Sequence, residues 1–330
     1  MPTSHIIGTG SSVPQRVLAN KDLEGIVETS DEWITRRTGI KERRIASKHA
    51  NESTTDMGSQ AAKAAMEMAR VTADQIDTII VATVTADHLF PSAACMIQKE
   101  LEANNAAAFD VSAGCSGFVY ALESANNSIR LGQSNTVLVV GAERLSSVVN
   151  WKDRSTCVLL GDGAGAVVLR GQENSGGILS THIKSDGRLW DLLHSEEGND
   201  YLPDELCDTA VKPFILTMEG NRLFKKAVGS MADITEQALE QNGIKRDDIQ
   251  IVVPHQANLR ILQAVADKLK VPMEKFFTNL HKYGNTSSGS IPLALDEAHR
   301  KGLIAKGDNV LLVSFGAGLT WGAAVIQWTV

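Results

Sequence analysis

Short apolar runs alternate along the chain with longer segments whose apolar positions recur at helical spacing. DTIIVAT at 77–83 reads as a buried strand, and it follows an Ala- and Met-rich helical segment near 58–70. Further strand patterns occupy 136–141, 164–169, 249–253 and 309–313, and a helix is expected over 259–269. This regular alternation predicts an α/β fold. No Pro- or Ser-rich linker separates the halves, so two freely moving domains are not expected.

The pattern also repeats. TVLVV at 136–140 matches NVLLV at 309–313, a spacing of 309 − 136 = 173 residues. DQID at 74–77 matches DDIQ at 247–250 at the same spacing, and each follows a helix and leads into a strand. A constant offset shared by separated elements indicates a duplication, not a short tandem repeat.

Composition narrows the class. The 330 residues include 32 basic and 39 acidic side chains, a formal net charge of −7, which argues against broad nucleic-acid binding. No apolar run approaches the roughly 20 residues of a membrane helix. The start, MPTSHIIGTG, lacks the signature of a signal peptide. Cys95, Cys115, Cys157 and Cys207 are dispersed without a CxxC pair, so neither a disulfide framework nor a zinc site is expected. A cytoplasmic protein without metal or cofactor is the expectation.

Cys115 lies in FDVSAGCSGFVYAL, where a short apolar strand gives way to small residues and then to an apolar helix. A sulfur at a helix N-terminus meets unpaired amides that favour a thiolate. His255, in VVPHQAN, follows a strand and precedes a helix, where ligands of α/β sheets bind. Asn285, in YGNTSSGS, reads by itself as a turn or N-cap residue. Cys, His and Asn in that order also fit a papain-like protease, but AGCSG lacks that family's signature and the duplication fits it poorly. GDGAG at 161–165 precedes a strand and opens no helix, so it reads as a tight, closely packed turn and not as a phosphate loop. SFGAGLTWG at 314–322 follows a strand, and its amides suit an oxyanion hole as well as they suit a plain turn.

Together these segments resemble the beta-ketoacyl-[acyl-carrier-protein] synthase III family, the initiating condensing enzymes of bacterial fatty-acid synthesis. The resemblance runs from IIGTG at 6–10 to the end. It includes TSDEWI at 29–34 with RTGI at 37–40, FPSAAC at 90–95, the Cys115 turn, Met218-Glu219-Gly220 with Phe224, PHQANLR at 254–260 and the Phe315–Gly322 turn. It implies a thiolase-like fold, five layers αβαβα built from two duplicated halves, 1–172 carrying the nucleophile and 173–330 carrying His and Asn. It implies Cys115 as nucleophile, His255 and Asn285 as its partners, and the amides of Cys115 and Ala317 as the oxyanion hole. An acyl group would pass from acyl-coenzyme A to Cys115 and then condense with malonyl-acyl-carrier protein as carbon dioxide leaves. Neutral His255 and Asn285 would donate hydrogen bonds to the enolate.

For coenzyme A the resemblance implies Trp33, Arg37, Arg154, Gly220 and Asn258, and for the carrier protein Gln256, Ala257, Asn258, Leu259 and Arg260. Arg222, Lys225, Lys226 and Lys268 would extend Arg260 into a basic patch for an acidic carrier. Phe90, Leu145, Leu160, Leu192, Leu216 and Phe315 would line the acyl pocket, with Phe90 reaching into the partner of a homodimer. Gly114 stands where Ala is common, Ala317 interrupts the usual triple glycine, and Leu160 replaces a Phe of some relatives. The alternative is a related acyltransferase of secondary metabolism with a different acceptor. A non-catalytic partner subunit is disfavoured, because Cys115, His255 and Asn285 are all present.

Overall fold

The computed structural model describes residues 2–47, 50–195 and 215–330, and Cys207 lies outside them. The first sheet contains β1 (Thr3–Ser12), β2 (Thr78–Ala82), β3 (Ala107–Val111), β4 (Thr136–Arg144) and β5 (Asp162–Gln172), in the order β1-β5-β4-β2-β3. The second contains β6 (Gly177–Ser185), β7 (Ile249–Pro254), β8 (Asn309–Gly316) and β9 (Thr320–Gln327), in the order β6-β9-β8-β7.

The two sheets repeat one plan. In each, two antiparallel pairings are followed by a parallel one: β1–β5–β4 then β2, and β6–β9–β8 then β7. Even the register carries over. Thr78 faces Val137 in the first sheet and Ile251 faces Val310 in the second, both residues displaced by the 173 positions found in the sequence. Where the first sheet adds β3, the second has only an isolated parallel bridge between Val252 and Phe276.

Strand alternation builds the layers. On the first sheet Ile80, Val137, Val139, Val167 and Leu169 face inward, while Ile79, Val81, Leu138, Val140 and Val168 face outward. The inward set meets its counterparts Val253, Val310, Leu312 and Ile326 across two helices, α3 (Gly117–Arg130) and α6 (Ser290–Arg300). Outside the first sheet lie α1 (Thr54–Ala69) and α2 (Ala93–Leu101). Outside the second lie α4 (Gly220–Asn242) and α5 (Leu259–Leu269). Strands apolar on both faces are the signature of sheets covered on both sides. The result is the αβαβα sandwich. Among the described residues no helix is long and apolar enough to cross a membrane.

One expectation fails here. Residues 161–165 form no tight turn: Gly163 and Gly165 lie inside β5. The close packing is real. A Cβ at Gly165 would stand 2.4 Å from the Leu293 amide, and one at Gly161 would stand 2.2 Å from the Tyr283 carbonyl. The glycines let α6 and the preceding loop press on the strand's backbone.

Candidate active site

β3 delivers the chain into a single turn, Gly114–Ser116, that runs directly into α3. Gly114 has φ +54°, and a Cβ there would meet the Ala317 amide at 2.9 Å. From the other side, a Cβ at Gly316 would stand 2.5 Å from the Cys115 amide. The 114–115 and 316–317 backbones are therefore in direct contact, and only residues without side chains permit it. Ser116 donates to the Thr320 carbonyl at 3.0 Å, and the Thr320 hydroxyl lies 2.8 Å from the Ala113 carbonyl, lashing the two turns together.

The amides of Cys115 and Ala317 and the hydroxyl of Ser287 favour the Cys115 thiolate. Burial is nevertheless the largest influence, and with the nearby Glu143 charge it pushes the thiol up to about 11. The thiolate expected from the helix N-terminus is thus not the resting form. Desolvation of the sulfur outweighs the donors that surround it.

A second turn, Ser287–Gly289, leads into α6 as the Cys115 turn leads into α3. Both turns and both helix starts are displaced by the same 173 residues, so Ser288 occupies the position equivalent to Cys115. Ser287 has φ +48°, matching Gly114, although it carries a side chain. Its hydroxyl lies 3.1 Å from Glu143 Oε1, and the Ser288 hydroxyl lies 2.9 Å from the same atom. Glu143, wholly buried at the end of β4, also accepts from the Thr85 hydroxyl at 2.5 Å and the Val84 amide at 3.1 Å. Burial raises its carboxyl above the usual range, opposed by these donors. Sequence reasoning missed this cluster. The available signal was the 173-residue offset, which carries Cys115 onto Ser288.

His255 ends up buried, with Nδ1 2.7 Å from the Ser290 hydroxyl. The Ser290 oxygen also receives the Gln256 amide at 3.4 Å, and its own proton can be given to Nδ1. With Ser290 donating, the imidazole carries its hydrogen on Nε2. Burial pulls its pKa down to about 4, so it is neutral near pH 7. Asn285 is fixed by three hydrogen bonds. Its amide donates to the Leu159 carbonyl at 2.8 Å, its carbonyl accepts from Gly161 at 2.9 Å, and its Oδ1 accepts from the Ser287 amide at 2.8 Å. The turn role read from sequence is therefore real, and it orients the side chain so that Nδ2 stays free to donate.

Beside this centre a cleft of about 630 Å³ contains Trp33, Arg37, Arg154, Gly220 and Asn258 in its wall, together with Phe224, Lys225 and Arg260. The Arg37 and Arg154 guanidinium groups lie 5.4 and 5.0 Å from the Trp33 ring centre, within cation–π range. Val158 and Leu159 join the cleft wall to the backbone that holds Asn285. Beneath Val158 sits Arg43, fully buried and bonded to the Leu18 and Val158 carbonyls and to Asn20 Oδ1.

The remaining expected residues scatter. Gln256 is 1% exposed and spends both ends of its amide internally, donating to Pro254 and Phe277 carbonyls and accepting from the Asn279 amide. It has nothing left for a docking partner, which corrects its assignment to a carrier surface. Asn258 caps α5 through the Arg260 amide and also donates to the Arg37 carbonyl. Ala257 is partly exposed, and Leu259 and Arg260 are exposed. Of the basic patch, Arg222, Lys226 and Lys268 pair with Glu219, Asp186 and Asp233, whereas Lys225 and Arg260 make no ion pair among the described residues. Leu145 and Leu160 pack in one cluster with Leu216 against it, while Leu192 and Phe315 belong to another. Phe90 lies in neither and is 82% exposed beside Leu89 at 90%. Cys157 is buried, Cys95 is partly buried, and no described group of three or more His, Cys, Asp or Glu is placed to hold a metal.

Two family descriptions match the chain: 3-oxoacyl-[acyl-carrier-protein] synthase III over residues 109–187, and the C-terminal part of the same family over 239–328. A protein of Caldanaerobacter subterraneus subsp. tengcongensis named beta-ketoacyl-[acyl-carrier-protein] synthase III is 50% identical, covering 98% of this chain and 97% of its own. The crystal structure of 3-oxoacyl-[acyl-carrier-protein] synthase III from Aquifex aeolicus superposes with a TM-score of 0.91 at 48% identity, covering 98% of this chain and all of that one. The priming beta-ketosynthase of the R1128 polyketide pathway superposes at 0.92 with 37% identity, covering 99% and 97%.

Proposed function

The chain belongs to the beta-ketoacyl-[acyl-carrier-protein] synthase III family, and on that premise we propose that Cys115 is its acyl acceptor, with His255 and Asn285 as its partners. It is an acyltransferase of the initiating condensation of fatty-acid synthesis. The acyl donor in this reading is acyl-coenzyme A, with its nucleotide in the Trp33–Arg154 cleft. The Cys115 sulfur attacks the thioester carbonyl, and the amides of Cys115 and Ala317 receive the oxyanion. Malonyl-acyl-carrier protein then loses carbon dioxide, and its α-carbon attacks the Cys115 thioester. Neutral His255 donates through Nε2 and Asn285 through Nδ2 to the enolate oxygen, so no side chain need remove a proton from carbon.

One observation carries this reading: the Ser287 amide holds Asn285, and Ser290, three residues on at the start of α6, holds His255. Exposed Leu89 and Phe90 support a homodimer in which this apolar tip is covered. A cytoplasmic setting fits the dispersed cysteines. Of the basic patch, Arg260 and Lys225 make no ion pair among the described residues, which suits them to an acidic carrier. Intact-mass measurement after incubation with acetyl-, butyryl- and octanoyl-coenzyme A tests the first step, with Cys115→Ala alongside. A gain of one acyl group only in the unmutated chain supports it, and no gain with any primer overturns it. Adding malonyl-carrier protein or malonyl-coenzyme A then identifies the acceptor and separates fatty-acid initiation from a specialised pathway.

A further inference from the structure

Glu143 has no part in the chemistry above, yet it is wholly buried at the end of β4 and gathers donors from two separate parts of the chain. Its Oε2 accepts from the Thr85 hydroxyl at 2.5 Å, the Val84 amide at 3.1 Å and the Thr83 hydroxyl at 3.3 Å, all just past β2. Its Oε1 accepts from the Ser287 hydroxyl at 3.1 Å, in the turn before α6. Donors on both oxygens suit a carboxylate, which only accepts. One side chain thus ties the end of a strand in the first sheet to the loop that carries Asn285.

Ser287 is the residue of that turn most in need of a tie. It has φ +48°, a conformation that its counterpart Gly114 adopts without a side chain. A residue with a side chain keeps such a backbone only where its surroundings fix it. The rest of the turn is seated by close backbone packing: a Cβ at Gly141 would stand 2.3 Å from the Ser288 carbonyl, and one at Gly289 would stand 2.7 Å from the Gly163 carbonyl. Those contacts hold Ser288 and Gly289, whereas position 287 is held through its hydroxyl on Glu143. Asn285 divides in the same way. Leu159 and Gly161 bond its backbone, and the Ser287 amide bonds its side chain.

We propose that Glu143 is a positioning residue for Asn285, acting through Ser287. The bond from the Ser287 hydroxyl to Glu143 fixes the left-handed residue, and the Ser287 amide then donates to Asn285 Oδ1 at 2.8 Å. With Oδ1 held, Nδ2 keeps one direction and is presented to the enolate oxygen. This rests on Asn285 being an enolate donor. Glu143 gives up no proton and touches no substrate, and its effect belongs to condensation, the half-reaction in which the enolate forms.

The test is single-turnover condensation with malonyl-acyl-carrier protein by enzyme already loaded from acetyl-coenzyme A, so that forming the attacking thiolate does not enter. Glu143→Asp keeps the charge but withdraws the carboxylate by one methylene. Ser287→Gly removes the hydroxyl, suits the left-handed backbone and spares the contacts of Glu143 with Thr83, Val84 and Thr85. Each is expected to slow condensation about tenfold, short of the roughly 10²–10³-fold expected for Asn285→Ala. Both are then repeated in an Asn285→Ala background, where neither should slow condensation further, because the side chain they orient is gone. Ser287→Gly carries the test should Glu143→Asp melt early. Unchanged condensation in either single variant overturns the positioning role. So does a further loss of about tenfold in the Asn285→Ala background, which marks a general loosening of the site. A variant that accepts no acetyl group overturns it too, since orienting Asn285 leaves the first half-reaction open. Full condensation by Asn285→Ala overturns instead the reading of Asn285 as an enolate donor.

Discussion

The turn at Gly114–Ser116 and the turn at Ser287–Gly289 are one piece of structure used twice. Each enters through a left-handed residue, at φ +54° and +48°, and each opens a central helix of the sandwich. Their side chains do opposite things. The first turn sets Gly114 before its cysteine and Ser116 after it, and its Cys115 amide, with that of Ala317 opposite, favours the thiolate. The second has serines whose hydroxyls turn inward onto Glu143 and the Ala82 carbonyl, and its Ser287 amide orients Asn285. Backbone geometry alone does not make a reactive site. What differs is whether the donors at the turn are left for a ligand or consumed by the protein.

The sharpest way to break the comparison is Cys115→Ala, expected to abolish acylation while leaving the fold intact, as read by intact mass and thermal melting. Asn285→Asp comes next. A carboxylate facing the enolate should lower condensation by roughly 10²–10³-fold, the scale of losing one oxyanion donor, while acylation of Cys115 persists. Measuring the two half-reactions separately checks it, and loss of acylation as well would mean that the Ser287 turn had collapsed.

Acid pH probes the partner that the second half supplies. His255 is held down to about 4 from an ordinary 6.5 by burial, so the unfolded chain binds a proton that the folded chain refuses. Its contribution to stability is therefore full above pH 6.5 and is lost progressively as pH falls toward 4. Condensation should hold down to about pH 5 and fail near 4 as the imidazole charges, and His255→Asn should flatten the pH dependence of melting between pH 6.5 and 4. Trp33→Ala should raise the KM for acyl-coenzyme A about tenfold, with little change for a short acyl thioester lacking the nucleotide. The smallest effect belongs to Ser288→Cys. Because position 288 is 1% exposed, it should remain unacylated, and a second acyl mass on the variant would show the two turns to be chemically interchangeable.

Much of the architecture could be read from periodicity. The helix over 259–269 and the strands at 77–83, 136–141 and 309–313 are present, and the 173-residue offset reappears as identical strand register. β1 and β6 were not legible. In β1, Gly8 and Gly10 stand where α1 presses its Ala65 and Ala61 carbonyls within 2.3 Å of a notional Cβ, so packing erased the apolar signal. Cys115 was legible because its turn left a composition signature. Its ionisation was not, since a helix terminus shows in sequence and the burial of a sulfur does not. Glu143 was invisible for a related reason. In GAER it looks like a surface charge, and only the fold reveals hydroxyls closing around it.

Arg43 carries a further consequence. Its guanidinium is clasped by two carbonyls and an amide, with no carboxylate bonded to it, directly beneath the cleft floor at Val158. Dipoles take up three of its hydrogen bonds while its Nε is buried without a partner, and Glu42 and Asp22 offset its charge only from a distance. The cleft wall at Val158 therefore has a buried cation behind it, whose field can act on a visiting molecule without touching it. Such a field acts on arrival and not on grip: anionic visitors are drawn in faster, and that advantage fades as ionic strength rises.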